Sequence, residues 1–507
     1  MKHAVIFPLP LSIAIGAIFL SFENNVSADG IEFSKHYISK RFSLWEERGG
    51  NTRALYLRGG RRKSKRGGHW EACPYLQHCQ CKSKRTGLDI TCNGVTYEQL
   101  EKDTDILKEK ERSIGYFKIR NCEIPKLKDF LFMGIKITYL YITDCKLLSL
   151  EPESLSSQKQ TLIHLVLSSN KLQRVPTEAI SKLTTLQNLD MNANNISILR
   201  ANAFGGLTNL TKISLYNNKI RKINNKAFGD LARVEYDSKE GRKLDLNLGK
   251  NMLSKVPSSA LRNLQILESL DLKENKIEEI VANNFAGLDN LDHLILQRNE
   301  IKELRNEAFK GLPKLSTLYI DNNKISFIED NAFQGLEEKL ETLQLSGNLI
   351  KEFPTKALKS FKRLKTIYAN NNHINQLEEN AFEGYGGTIS YLWLQDNQIK
   401  KIPPTTFQSL YRIERLKLST NQLTTIPYEL VEPILRSVLH LEIHHNPLFC
   451  NCDLNWYRQW IESKGDEMSD EERDHLLDLE CRDPKDTNKR YRIRRVPPKV
   501  LYQNFLI

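Results

Sequence analysis

Beyond residue 20 the chain has no uninterrupted apolar run approaching the ~20 residues that a membrane-crossing helix needs. It also lacks the short motifs of common enzyme chemistry. No Gly-x-Ser-x-Gly elbow aims a serine nucleophile, no P-loop cradles a phosphate, and no His-Glu-x-x-His pair offers a zinc site. These absences predict a non-catalytic chain that needs no cofactor or metal. Charge of one sign is missing from the middle as well. The net charge of +12 sits at the ends, with 11 Lys/Arg against 4 Asp/Glu in residues 29–70 and 8 against 2 in 482–507. Residues 71–481 are close to neutral, which excludes reading the bulk of the chain as a nucleic-acid groove.

What the chain has instead is a period. The pattern L-x-x-L-x-L-x-x-N-x-L returns about every 24 residues from Leu162 to Leu448. Its asparagines are Asn170, Asn194, Asn218, Asn251, Asn275, Asn299, Asn323, Asn348, Asn372, Asn397, Asn421 and Asn446. The intervals are 24 or 25 residues except for 33 between Asn218 and Asn251. Two earlier units carry Cys122 and Cys145 in the asparagine position, making 14 repeats. A period of this length with these residues is the leucine-rich-repeat signature. It predicts an α/β solenoid, a horseshoe with a concave parallel β-sheet and capped ends.

One repeat shows why. In Leu318-Tyr319-Ile320-Asp321, alternation sends Leu318 and Ile320 inward and Tyr319 and Asp321 outward. Such a strand cannot bury its apolar face alone, so neighbours must stack on it. The asparagine amide can both donate and accept, which suits a position where stacking buries backbone polar groups. Phe204, Phe228, Phe285, Phe309, Phe333, Phe382 and Phe407 recur at one phase and predict an aromatic spine under a convex layer of short helix or turn. The extra residues near 232–242 are charged and predict a protruding loop.

Residues 1–28 read as a secretory signal peptide, with an apolar stretch from Ile6 to Leu20 and a small-residue site at Val26-Ser27-Ala28. Residues 29–70 read as a basic, mostly unstructured arm containing Arg58-Gly59-Gly60-Arg61-Arg62-Lys63-Ser64-Lys65-Arg66. Three readings of it stay open: a solvated tail, a propeptide cleaved after Arg66, and a patch for heparin-like glycans. Cys73, Cys79, Cys81 and Cys92 precede the repeats within a cap at 71–105, and the repeats fill 106–448. A second cap and basic tail at 449–507 hold Cys450, Cys452 and Cys481. In a secreted chain such clusters are disulfide caps over the exposed ends of the stack. Cys122 and Cys145 need no pairing on this reading, because cysteine is accepted at the asparagine position as a small buried apolar residue.

This cap–repeat–cap arrangement resembles the extracellular leucine-rich-repeat superfamily with cysteine-rich flanks, typified by Slit, the Nogo receptor and the acid-labile subunit. The run from Cys73 through the early repeats, with Pro176-Thr177-Glu178-Ala179, also resembles arthropod secreted proteins similar to the non-catalytic subunit of oplophorus-luciferin monooxygenase. The resemblance implies the pairs Cys73–Cys81, Cys79–Cys92 and Cys450–Cys481. It leaves Cys452 without a fourth cysteine, either as a buried thiol or as the link of a disulfide dimer.

For sites, the sequence offers an outward row of Tyr319, Gln344, Tyr368 and Trp393, flanked by Tyr391, Asp321 and Asn370. Aromatics bordered by amides and hydroxyls resemble the centre of a protein-binding surface. His440, Glu442 and His444 share a strand face at a spacing that can chelate zinc, but Arg415 and Lys417 on the preceding strand favour an ordinary polar surface. Asn195 and Asn209 lie in N-glycosylation triplets. The expectation is a secreted scaffold that binds an extracellular protein, with no nucleic acid and no membrane span. Its rivals are a matrix protein holding acidic glycans through its basic ends, and, from the resemblance alone, the non-catalytic partner of a secreted enzyme.

Overall fold

The computed structural model describes residues 71–109, 112–234, 242–262, 264–464 and 470–496. The signal segment, the basic arm with Arg66, the middle of the charged insertion and residues 497–507 lie outside the described residues. Among those described, one sheet of 16 strands runs the length of the stack. It begins with an antiparallel pair, Cys79–Lys84 against Gly87–Asn93, and continues with one parallel strand from each of the 14 repeats. The strands are mostly three residues long, as in Thr317–Tyr319, Thr342–Gln344 and Thr366–Tyr368. From His293–Ile295 to His440–Glu442 their register is unbroken: Leu294, Leu318, Leu343, Ile367, Leu392, Leu416 and Leu441 form one buried row.

Strands this short survive because of the asparagines. Asn323 accepts from the Ile301 backbone N–H at 3.2 Å, and its amide donates to the Leu296 and Ile320 carbonyls, both at 3.0 Å. One side chain thus satisfies backbone groups in its own turn and the preceding one, which stacking has removed from water. Asn348, Asn372, Asn397 and Asn421 repeat the pattern, and all are buried. The residue just before each asparagine turns the chain off the strand with a left-handed backbone, for example Asn322 at φ 54° and Asn371 at φ 55°. At Gly347 (φ 65°) the turn is also tight, since a Cβ would stand 2.7 Å from Asn322 Oδ1.

The convex side takes two forms, set by local sequence. In four of the described repeats a single helical turn follows a proline: Thr177–Ile180, Ser258–Leu261, Thr355–Leu358 and Tyr428–Val431. Where the sequence reads Ala-Phe, the chain bends and the phenylalanine goes inward. Phe285, Phe309 and Phe333 are fully buried with ring centroids 6.1 and 5.8 Å apart, and Phe204 stacks on Phe228 at 5.3 Å.

Each end of the stack is closed. At the N-terminal end Cys73 bonds Cys81 and Cys79 bonds Cys92. The helix Tyr97–Lys108, started by a capping box at Thr96 and Gln99, buries Leu100 and Leu107. Its Asp103 carboxylate accepts from the backbone N–H groups of Gln77, His78 and Cys79 at 2.7–2.9 Å. At the other end Cys450 bonds Cys481, and helix Asn455–Ser463 lays Trp456, Tyr457 and Trp460 over the last repeat. Cys452 is half-buried and forms no disulfide.

Cys122 and Cys145 depart from the sequence reading: they form a fourth disulfide. Both occupy the ladder position of adjacent repeats, and unbroken register brings their Cα atoms to 4.2 Å. Two cysteines one period apart at the ladder position are therefore neighbours in space, within reach of a disulfide.

Two stability measurements test this account. Asn323→Ala should lower stability by about 2 kcal/mol, because buried donors and acceptors lose their partner. A denaturation midpoint within error of wild type would contradict that. Cys122→Ser with Cys145→Ser should cost about 3 kcal/mol for opening a closed loop of 23 residues. Hydrogen exchange should localise the loss to the first repeats and leave those beyond Asn275 protected, since repeats contact only their neighbours.

Candidate functional site

Unbroken register turns the outward residues of successive strands into straight rows across the concave face. Tyr319, Gln344, Tyr368, Trp393 and Lys417 occupy one row. Thr317, Thr342, Thr366, Tyr391 and Arg415 occupy the next. Tyr368 and Trp393 stack with centroids 4.4 Å apart and planes 18° from parallel, and Tyr391 lies 5.8 Å from Trp393. The three rings form a half-buried aromatic platform. Tyr391 is oriented by donating its hydroxyl to Glu414 at 2.8 Å. That bond, and then partial burial, raise its pKa, while burial does the same for Tyr368. Both phenols stay neutral: the Tyr391 proton is committed to Glu414, and Tyr368 is able to donate.

The other residues of the predicted patch are placed differently. Gln344 and Asp321 point away from the core by alternation but are 7% and 6% exposed. Gln344 stands in its row between Tyr319 and Tyr368, whose larger side chains shelter it. Asp321 is held by the Asn322 amide at 2.6 Å, and burial pushes its carboxyl above the usual range. Ser346 donates to Asn370 Oδ1 at 2.6 Å and lies 3.0 Å from Gln344 Oε1, so these three form a polar floor beside the platform. Beyond Trp393, Lys417 is buried and pairs with Glu442 at 3.1 Å. Among the described residues no group of three or more His, Cys, Asp or Glu side chains is placed to hold a metal ion.

A second aromatic group lies at the N-terminal end of the same face, where the sequence reading placed none. Tyr116 stacks on Tyr139 and Tyr139 on His164, each pair with centroids 4.6 Å apart, and Tyr141 lies 6.5 Å from Tyr116. Aligning the Cys122 and Cys145 units with the asparagine units puts these tyrosines in the outward rows, so the signal was in the chain. Lys84 and Lys118 sit over the Tyr116 ring at 5.4 and 5.1 Å and both pair with Asp89, at 2.5 and 3.1 Å. Burial opposes ionisation of Asp89, but the two lysine hydrogen bonds outweigh it and hold its pKa below the usual value. His164 is 9% exposed, and burial with nearby Lys212 pulls its pKa from 6.5 to about 4.

Of the two glycosylation asparagines, both half-buried, Asn209 donates its side-chain amide to the Thr184 carbonyl at 2.7 Å, a link between repeats. Asn195 directly follows the ladder residue Asn194.

A family model described as Leucine rich repeat matches residues 135–196, 184–236, 245–301, 289–338 and 388–448, together about half of the chain. The chain belongs to the leucine-rich-repeat family. No curated protein matches it. Among solved structures, a TLR13–ssRNA13 complex aligns with a TM-score of 0.58 at 23% identity, covering 73% of this chain and 55% of that one. The Toll–Spatzle complex of Drosophila aligns with a TM-score of 0.55 at 19% identity, covering 73% and 54%. This leucine-rich-repeat chain thus spans about half the length of either neighbour. At these identities the likeness is one of fold, the fold of a binding scaffold.

His164 supplies a pH test of the N-terminal group. The unfolded imidazole takes up a proton near pH 6.5, whereas the folded one resists until about pH 4. The unfolded state therefore binds more protons across that window. Stability from neutral His164 is complete above pH 6.5 and is lost as pH falls toward 4, at on the order of 1 kcal/mol per pH unit. His164→Gln should remove that part of the slope. An unchanged pH dependence in the variant would show that the folded imidazole titrates normally.

Proposed function

We propose that the chain is a secreted, non-catalytic scaffold that recognises an extracellular protein through the concave platform of Tyr368, Tyr391 and Trp393. The observation that carries this reading is the stacked, half-buried Tyr368–Trp393 pair on a face with no core role. Stacked rings are already ordered, so a partner gains their area with little further loss of side-chain freedom. Asn370 and Ser346 beside them, with Tyr319 further along the row, supply direction. Four disulfides and the signal-like segment 1–28 support an oxidising, extracellular setting. Among the described residues no helix is long and apolar enough to cross a membrane. The Toll structure is of a complex with Spatzle, and an analogous use of the fold is proposed here.

The finer points of organisation belong to the same proposal. Residues 1–28 leave on secretion, 29–70 form an arm processed after Arg66, and the caps at 71–105 and 449–507 are the cysteine-rich flanks of the extracellular superfamily. Cys452, lacking a fourth cysteine, links a fraction of the protein as a dimer, and sugars at Asn195 and Asn209 complete it. Binding of heparin-like glycans by the basic C-terminal tail is the weaker reading. Arg490, Arg492 and Arg494 there are paired with Glu480, Asp478 and Asp474, which leaves less free charge than the sequence count suggests.

Proximity labelling by the secreted full chain, followed by binding assays with the captured protein, tests the main claim. Trp393→Ala should weaken binding by about 2 kcal/mol, roughly 30-fold, and Tyr368→Ala by less. Each should lower stability by only about 0.5–1.5 kcal/mol, the worth of the lost ring stacking, whereas the inward Leu394→Ala should lower it by about 2–5 kcal/mol. Full binding by a folded Tyr319/Tyr368/Trp393 triple-alanine variant would move the site elsewhere.

A further inference from the structure

Cross-strand pairing puts more charge at the N-terminal end of the concave face than the tyrosines alone reveal. Asp89 pairs with Lys82 and with Tyr116, and Thr91 pairs with Gln80 and with Lys118. Residues paired across a sheet share a face, so Lys82 and Lys84 extend over the same surface as Lys118 and Arg120. Lys82, Lys84 and Arg120 are exposed, and Lys118 is half-buried. Against these four cations stand Asp89, already shared by Lys84 and Lys118, and Asp144 at the rim, one residue past Thr143, which pairs with Arg120. The patch keeps a surplus of about two positive charges in a solenoid that is otherwise near neutral.

The aromatic geometry narrows what can use that charge. Tyr139 has one face covered by Tyr116 and the other by His164. The second face of Tyr116 is taken by the Lys84 and Lys118 ammoniums. A nucleobase or sugar ring that binds by stacking therefore has no open face on either tyrosine. What these two rings leave outward is their edges and phenol hydroxyls. Burial raises the pKa of Tyr139 and Tyr141, so their hydroxyls remain donors. Ring edges accept aliphatic side chains, and hydroxyl donors beside lysine and arginine accept carboxylates.

We propose that this end of the concave face is a second docking station, and that it binds an acidic, extended peptide segment of a partner protein. The station lies eleven strands from Trp393, about 50 Å at 4.8 Å per strand, so it is separate from the C-terminal platform and does not rest on that reading. Charge complementarity selects the occupant. Carboxylates meet Lys82, Lys118 and Arg120, and intervening apolar side chains lie against the edges of Tyr116, Tyr139 and Tyr141. A partner long enough to reach both stations would gain from the high effective concentration of the second contact.

Selection of a random dodecapeptide display library on the secreted full chain tests the proposal. Enriched peptides should carry an excess of Asp and Glu over the unselected library. A synthetic copy of the most enriched peptide should lose at least ten-fold in affinity when its carboxylates become amides, and should bind more weakly as salt rises. Lys82→Glu with Arg120→Glu, both at exposed positions that leave the Lys118–Asp89 pair intact, should reduce its affinity at least ten-fold. Tyr141→Ala should weaken it without altering the salt dependence, and Trp393→Ala should leave it unchanged. Any of three results would overturn the proposal: no acidic enrichment, affinity that survives the double charge reversal in a folded variant, or loss in Trp393→Ala equal to that in the reversal. Tighter binding of a heparin octasaccharide or a single-stranded oligonucleotide than of the selected peptide, lost in the same charge reversal, would also overturn it and assign the patch to that polyanion.

Discussion

Burying the backbone of three-residue strands without leaving their polar groups unpaired is the constraint on which the whole structure rests. The ladder asparagine resolves it, because one amide serves carbonyls in two successive turns and one N–H in the preceding turn. This bonding works only if every repeat stacks at the same register. Register then dictates the rest: inward leucines form a continuous core, the phenylalanines align beneath the convex turns, and outward residues become rows.

The same regularity accounts for the neutrality of the solenoid. Lys302, Lys324 and Lys365 pair with Glu278, Glu300 and Glu341, each one period back along the chain. Exposed pairs of this kind contribute little stability individually. Their effect is to cancel charge along the sides of the stack. Imbalance is left at particular places on the concave face, and recognition by charge can concentrate there. The aromatic rings follow a similar logic. Equal outward positions on adjacent strands stand close enough to stack, so a Tyr and a Trp one period apart become a single rigid surface.

A stack also has ends, and the cysteines are spent on them. Two disulfides hold the first hairpin, and one ties Cys450, just past the last repeat, to Cys481 in the strand Glu480–Arg482. The bond between Cys122 and Cys145 extends this covalent closure two repeats inward and replaces asparagine hydrogen bonds where the ladder begins. Asn170, the first true ladder asparagine, reaches back to accept from the Cys145 and Leu147 N–H groups, so the two devices join without a gap.

The sequence by itself determined the fold, because a period of 24 with leucine and asparagine in set positions admits one way of stacking, and alternation alone says which side chains face out. It also held the Tyr368–Trp393 row, since both lie at the same point of consecutive repeats. Tertiary structure decided everything that depends on what stands beside a residue rather than before it. Asp321 and Gln344 alternate outward yet are buried, Gln344 in its row between Tyr319 and Tyr368 and Asp321 against the side-chain amides of Gln297 and Asn322. Cys122 and Cys145 are apart in sequence and in contact across the stack. Lys82 and Lys84 share the sheet face of Tyr116, and Lys84 reaches its ring, only because the first hairpin runs antiparallel and pairs with the first repeat strand. Periodicity is a property of one chain position relative to the next, whereas burial and charge surplus are properties of neighbours in space.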